Sequence, residues 1–269
     1  MPEYITNEIL KSIRPRKENS SKGDFGTLLM LCGSECMTGA AVLSTMGALR
    51  SGVGLIRFCG NKETLDKIQR MVLEPVFLPI SDIGKAKKTA FLCGCGIGRV
   101  YDKHLTDILE ACDTISVLDA DCINFLSLHK DVLGRMKCEK ILTPHPAEMS
   151  RLTGKTVEEI QSSREETAID FAKTHNCYLV LKGHNTVIAS PTGSVFINTS
   201  GSSALAKGGS GDVLAGVIAS LAAQGYDAET ACKLGVYIHG LAADRLSHRY
   251  GKSGVLPSDL PKEIGAILG

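Results

Sequence analysis

Gly208-Gly209-Ser210-Gly211-Asp212 sets one carboxylate at the end of a glycine turn, and the turn runs straight into an apolar, small-residue stretch (Val213, Leu214, Val217, Ile218, Leu221). Successive glycines let backbone N–H groups converge on one point. A helix starting there adds its unpaired N–H groups and the positive end of its dipole. The product is an anion-binding site made of main chain. A carboxylate at its mouth repels a phosphate, so Asp212 needs a reason to be there. Two readings stand. Asp212 caps the helix, or it is a base that takes the proton of a hydroxyl attacking a phosphoryl group held by Gly209, Ser210 and Gly211.

Other chemistry-bearing residues gather in short turns. Gly94-Cys95-Gly96-Ile97-Gly98 has the look of a dinucleotide fingerprint, with Asp119 as the acidic residue on the following strand, although a tight strand-to-helix turn reads the same. Asp119 and Asp121 flank Ala120. They are helix caps, or groups that hold a metal-bound phosphate or substrate hydroxyls. In Thr143-Pro144-His145-Pro146-Ala147-Glu148 two prolines fix a turn and hold His145 and Glu148 toward one side. The plainer reading makes Glu148 a first-turn helix residue and His145 an exposed loop residue. In Lys182-Gly183-His184-Asn185-Thr186, Lys182 neutralises a phosphate or snorkels at an edge.

These turns need a frame. Apolar runs at Thr27–Cys32, Gly54–Cys59, Thr89–Gly94, Thr114–Asp119, Lys140–Thr143 and Cys177–Lys182 read as strands. Helix-period stretches lie at Gly39–Ser51, Lys62–Met71, Asp102–Ala111, Val157–His175, Gly211–Gln224, Ala228–Arg249 and Ser258–Leu268. The alternation predicts an α/β fold, a mostly parallel central sheet flanked by helices on both faces. Asn185–Ser190 and Ser194–Asn198, joined by Pro191-Thr192-Gly193, predict a late antiparallel hairpin and an antiparallel edge region. The first 20 or so residues are polar, and mobility is expected of them. In such sheets ligands bind beyond the carboxyl ends of the strands, where the turns above fall.

Composition narrows the function classes. The 269 residues carry a net charge of +1, with 43% hydrophobic and 22% charged residues, so no nucleic-acid or membrane partner is implied. The ten cysteines are scattered, with no Cys-x-x-Cys pair and no apolar leader, which predicts reduced thiols in the cytoplasm and argues against zinc.

In chain order these segments resemble the NAD(P)H-hydrate dehydratase family, a branch of the ribokinase-like fold. The resemblance begins at Lys22–Gly26, Gly33-Ser34, Gly39–Ala41 and Leu49–Leu55. It continues through Gly94–Gly98, Asp119–Asp121, Thr143–Glu148, Leu181–Ile188, Ala206–Gly216 and Tyr237–Gly240. It implies one dehydratase domain over 1–269, without a fused epimerase domain. It also implies a hydro-lyase that restores the S epimer of hydrated NADH or NADPH at the expense of ADP or ATP. The chemistry implied is phosphorylation of the ring hydroxyl followed by loss of phosphate. Asp212 then resembles the base, and Gly209, Ser210 and Gly211 the anion hole. Lys182, Gly183, His184, Asn185 and Thr186, with Ser202, Ser203, Ala204, Leu205, Ala206, Lys207, Gly208 and Gly211, resemble the ADP/ATP site. Ala40, Gly98, Thr143, Pro144, His145, Pro146 and Glu148, with Asp212, resemble the hydrate site. Magnesium is expected between the phosphates, with no ligand residue named, and a homotetramer is expected. Asn198–Ser203, Met37-Thr38 and Cys95 depart from the usual family residues, which touches nucleotide preference more than Asp212. The competing expectations are a small-molecule kinase of the same fold and a non-catalytic nucleotide-binding module.

Overall fold

The computed structural model describes residues 1–269. In chain order it runs β1 (Glu3–Ile5), β2 (Thr27–Leu31), α1 (Thr38–Arg50), β3 (Leu55–Gly60), α2 (Lys62–Ile68), β4 (Val76–Pro79), β5 (Ala90–Cys93), α3 (Asp102–Glu110), β6 (Ile115–Leu118), α4 (Ala120–Leu128), α5 (Asp131–Arg135) and β7 (Lys140–Leu142). It continues with α6 (Pro146–Thr153), α7 (Val157–Ser162), α8 (Arg164–His175), β8 (Tyr178–Leu181), β9 (Val187–Ala189), β10 (Val195–Asn198), α9 (Ser210–Ala223), α10 (Ala228–Tyr250) and α11 (Leu260–Leu268).

One ten-stranded sheet orders them β1-β10-β9-β8-β7-β6-β5-β2-β3-β4. β9 alone runs against its neighbours β8 and β10; every other pair is parallel. The chain leaves β2 for β3 and β4 on one side, then returns to β5 on the other. This order reverses at β2/β5, where open α/β sheets leave a crevice. The glycine turns after β2 and β5 meet there, with the Gly33 N–H donating to the Cys95 carbonyl at 2.7 Å.

Strand periodicity splits the core in two. Leu28, Met30, Leu92, Val117, Ile141 and Val180 join a cluster with α1, α9, α10 and α11. Their neighbours Leu29, Leu31, Phe91, Leu118, Leu142 and Leu179 join another with α3, α4, α6 and α8. Successive side chains point to opposite faces, so a run apolar at every position is buried on both.

α9 reaches the crevice because it lies almost in contact with α1. A Cβ on Gly216 would sit 2.0 Å from the Ser44 carbonyl oxygen, and one on Gly47 2.6 Å from that of Val213. Neither backbone can retreat from such a contact. Gly216→Ala is therefore expected to destabilise the fold by ~1–3 kcal/mol. Urea unfolding would measure it, and an unchanged midpoint would refute the close approach.

Three expectations are corrected. Val157–His175 is two helices, broken at Ser163 (φ −141°, ψ 49°). The Ser162 and Ser163 hydroxyls both donate to the Glu159 carbonyl at 2.9 Å, competing with the helix ladder there. The hairpin is present as β9 and β10, but it is not the edge. β1 pairs in parallel outside it, with Glu3 opposite Phe196. The polar N-terminal stretch thus contributes a strand, and Thr199 Oγ1 fastens it by donating to the Ile5 carbonyl at 2.7 Å.

Candidate active site

The glycine turn begins α9, but the cap lies three residues before Asp212. Gly209 is the N-cap residue at φ 103°, and a Cβ there would strike Leu43 at 2.5 Å, so this is the position that needs glycine twice over. Ser210, Gly211 and Asp212 form the first turn; the Ser210 N–H donates to the Lys207 carbonyl at 3.2 Å, which leaves the N–H groups of Gly211 and Asp212 for a ligand. Gly211 has no left-handed φ; a Cβ on it would meet the Lys182 ammonium at 3.3 Å. Asp212 caps nothing. Its carboxylate shares a cluster with the Cys95 thiol and the Asp119 carboxylate, the three ligand atoms lying within 4.8 Å of one another. Burial, then the Asp119 charge, pushes its pKa up from 3.8 to about 6.

Asp119 stands at the N-cap position of α4 yet does not cap it. Its Oδ1 accepts from Thr143 Oγ1 and from Lys182 Nζ, both at 2.7 Å, while Oδ2 faces the Cys95 thiol at 3.7 Å. The next residue, Ala120, takes φ 49°, a strained conformation for a side chain with a Cβ. Asp121 Oδ2 accepts from the Gly98 N–H at 2.8 Å and so pins the glycine turn after β5. Gly94 must be glycine, since a Cβ would lie 1.9 Å from the Asp119 carbonyl oxygen.

Lys182 joins the two sides of the crevice. It pairs with Asp119 and lies 3.9 Å from Glu148 Oε2. Burial pulls its pKa down, but Asp119 and Glu148 outweigh that and the net direction is up. Burial also raises Glu148. The snorkelling reading fails, because this ammonium is buried among carboxylates.

His145 sits beside Glu148, with its Nε2 3.4 Å from Glu148 Oε1, and the residue has a structural task as well. It is the N-cap of α6: Nδ1 accepts from the N–H groups of Ala147 (3.1 Å) and Glu148 (3.3 Å). Glu148 Oε2 returns the bond from the His145 N–H at 2.8 Å, completing a capping box. The ring is 47% exposed, and burial, then Lys182, lowers its pKa, so it stays neutral. His145→Ala is expected to cost ~1 kcal/mol through the lost cap, with His145→Asn retaining most of it. Thermal unfolding of the pair would test this; equal stability of His145→Ala and the parent would rule the cap out.

A cavity of about 450 Å³ opens beside α9. Of the residues expected at a nucleotide, Lys182 to Thr186, Ser202, Ser203, Leu205, Ala206, Ser210 and Gly211 line it. Ala204, Lys207 and Gly208 do not. Ala204 is in the core, and Lys207 Nζ donates instead to the carbonyls of Ser253 (2.6 Å) and Val255 (2.5 Å). The far wall comes from Asn198, Ser200 and Gly201, in the segment linked to nucleotide preference from sequence, and from Leu214, Val236, His239 and Gly240, to which no site role was assigned from sequence. The available signal was Gly240: a Cβ there would hit Ser200 Oγ at 2.3 Å, so the loop after β10 nests on α10. On the other side of Asp212, Ala40 and Gly98 gather at the β2/β5 switch, where a Gly96 Cβ would meet Ala40 at 2.8 Å and a Gly98 Cβ would meet Met37 at 3.2 Å. Thr143 and Pro144 are buried, Thr143 against Asp119, and the Pro144 carbonyl accepts from the Lys182 N–H at 2.8 Å.

The NAD(P)H-hydrate dehydratase family model matches residues 28–265. The chain belongs to this family. It is 39% identical over 256 residues to the ADP-dependent (S)-NAD(P)H-hydrate dehydratase of Neisseria meningitidis, covering 92% of this chain and 86% of that one. Against the bifunctional NAD(P)H-hydrate repair enzyme of Moorella thermoacetica the identity is 35% over 98% of this chain, which spans 53% of that longer relative. A crystal structure of the ADP/ATP-dependent NAD(P)H-hydrate dehydratase of Bacillus subtilis, co-crystallised with ATP and Mg²⁺, superposes with a TM-score of 0.89. It shares 30% identity and covers 99% of this chain and 97% of that one. The ribokinase-like architecture expected from the sequence is therefore the one observed. No helix is long and apolar enough to cross a membrane.

Proposed function

We propose that this chain dehydrates the S epimer of hydrated NADH or NADPH, using ADP or ATP as phosphoryl donor. The observation that carries the reading is the position of Asp212, with its pKa at about 6, in the same first helix turn as Ser210 and Gly211, which line a cavity of nucleotide size. The nucleotide lies along Lys182–Thr186 and the 198–211 loop, with its terminal phosphate at the α9 N-terminus. The hydrate approaches from Ala40, Gly98 and the Thr143–Glu148 turn. Asp212 accepts the proton of the ring hydroxyl as its oxygen attacks the terminal phosphorus, and the bond to the leaving nucleotide breaks. The N–H groups of Gly211 and Asp212 take the charge that grows on the phosphoryl oxygens. Lys182, 3.3 Å from the Gly211 Cβ position, supplies a positive charge on the same side.

Phosphorylation makes chemical sense of a dehydration. Hydroxide is a poor leaving group and phosphate a good one. The ring nitrogen supplies electrons as the C–O bond breaks, and loss of a proton from the adjacent ring carbon restores the double bond.

The Asp119 and Asp212 carboxylates fit magnesium, which takes one or two carboxylates together with substrate phosphates. When bound it offsets the phosphate charge. The Cys95 thiol is no ligand for so hard an ion.

The deciding experiment mixes the protein with NADH hydrate, Mg²⁺ and ADP or ATP and follows absorbance in the NADH band. Return of that absorbance, dependent on nucleotide, is expected. A stable phosphorylated product without it would make the chain a small-molecule kinase. Nucleotide binding without turnover would make it a non-catalytic module.

A further inference from the structure

α8 starts with a cation in a place that works against it. Arg164 is the first residue of the helix, directly after the break at Ser163. A helix N-terminus favours negative charge, which Glu165 and Glu166 supply in the same turn, and disfavours a guanidinium. Burial lowers the Arg164 pKa, and no acidic neighbour offsets it. Its Nε is buried without a hydrogen-bond partner. Arrangements that cost stability in this way gather at functional sites.

The guanidinium reaches away from its own helix to the end of β8. Nη2 donates to the Leu181 carbonyl at 2.8 Å and to the Lys182 carbonyl at 3.3 Å, while Nη1 donates to Gln161 Oε1 at 2.9 Å. Gly183 follows at φ 144°, and a Cβ on it would lie 3.0 Å from Nη1 and 3.1 Å from Nη2. Thr186 Oγ1 donates to the Gly183 carbonyl at 3.0 Å. Side chains thus tie down three successive carbonyls. The N–H groups of Gly183, His184 and Asn185, which lie between β8 and β9, have no acceptor within the chain. The same three residues line the nucleotide cavity. A turn with its carbonyls bound and its amide groups free suits an anionic ligand.

We infer that Arg164 is a positioning residue for the co-substrate: by fixing the Leu181 and Lys182 carbonyls it sets the Lys182–Asn185 turn as a wall that receives the nucleotide. The inference rests on the proposed placement of ADP or ATP in this cavity. Arg164 does not line the cavity itself, so it acts through the turn. A planar fork with acceptors at both terminal nitrogens is what arginine supplies and lysine does not.

Titration calorimetry with ADP, and steady-state kinetics with NADH hydrate, test this on the parent, Arg164→Ala and Arg164→Lys. Arg164→Ala is expected to bind ADP about 10- to 150-fold more weakly, the worth of one charge-assisted hydrogen bond. KM for ADP should rise accordingly, with kcat at saturating ADP and KM for the hydrate nearly unchanged. Methylguanidinium should restore ADP affinity to Arg164→Ala and leave the parent unaffected. A role in the fold alone would lower the urea midpoint of Arg164→Ala and leave its ADP affinity like that of the parent, which overturns the inference. Arg164→Lys keeps the charge and loses the fork, so it should stay weaker than the parent. Parent-like ADP affinity in Arg164→Lys would mean that charge alone is at work, and would overturn the clamp. If Arg164→Ala does not fold, Arg164→Lys decides by itself. Gly211→Val separates the two levels. ADP affinity unchanged by Gly211→Val would refute the nucleotide placement itself. Loss of ADP binding there, with parent-like affinity in the Arg164 variants, would refute only this assignment.

Discussion

Asp212→Asn is expected to cut kcat by about 10²–10⁴-fold, the usual loss when a general base is removed, while the protein becomes more resistant to unfolding at neutral pH. The two effects have one origin. Burial and the neighbouring Asp119 carboxylate raise the folded-state pKa of Asp212 from 3.8 to about 6. The folded protein therefore holds this proton more tightly than the unfolded chain does. Stability from this group is gained as pH falls from about 6 toward 4 and is absent at pH 7 and above, where the buried carboxylate is charged. Asparagine keeps the shape and carries no charge, so it relieves that cost at neutral pH. Loss of activity with a raised Tm would exclude misfolding as the cause. The parent enzyme should also lose kcat/KM below about pH 6, as the base becomes protonated. Nucleotide affinity should change little, since the substitution leaves the α9 N–H groups in place. Turnover like that of the parent, or a lowered Tm at pH 8, would sink the assignment.

The capping and catalytic readings of Asp212 could not be separated along the chain. Both put an Asp in the first turn of a helix. What separates them is the left-handed Gly209, which takes the cap position three residues earlier and leaves the Asp212 carboxylate to meet Cys95 and Asp119. That meeting joins Asp212 to residues more than 90 positions earlier in the sequence, and no local pattern encodes it. The strands with apolar runs on both faces were legible because burial on both sides leaves a continuous signal. β1 and β4 were not: Glu3–Ile5 and Val76–Pro79 are three and four residues long, half exposed and, in β4, closed by a proline. They are strands because a neighbour's edge is available, not because of their own sequence. At the site, glycine turns at strand ends announced the crevice, Lys182 and the 208–212 turn were found from their residue types, and the rest of the 202–211 loop came through the family resemblance. The α10 wall was found by neither. His239 and Val236 sit in a long helix whose composition reads as core, and their exposure to the cavity depends on Gly240 admitting the Ser200 loop. His145 carries two signals in one motif. Prolines on both sides of a histidine read as a positioned side chain, and the same Pro-His-Pro-x-Glu order also makes a helix N-terminus with a capping box, a second task that was not legible from the residue types.

Lys182→Met should be the most damaging single substitution for stability, and it should act through the charges it leaves behind. The Lys182 ammonium is the only cation paired with Asp119, at 2.7 Å, and it also lies 3.9 Å from Glu148. Asp119 is 2% exposed and Glu148 4%. Methionine fills the same volume but leaves these two carboxylates, together with Asp212, buried with no positive partner. Breaking one side of a buried pair typically costs about 3–5 kcal/mol, and that loss is expected by urea unfolding at pH 7.5. The deficit should shrink as pH falls, because unpaired carboxylates then protonate rather than stay charged; burial already raises Glu148 in that direction. Adding Asp119→Asn to Lys182→Met removes the stranded charge, so the double variant should recover much of the stability lost by the single one. It should not recover nucleotide affinity, since the charge beside the Gly211 turn is still missing. Stability and binding are thereby pulled apart in two variants. If Lys182→Met unfolds within about 1 kcal/mol of the parent, the pair is no stronger than a surface salt bridge, and Lys182 is not the group that holds the two sides of the crevice together. If the double variant binds ADP as tightly as the parent, Lys182 has no part in phosphate recognition.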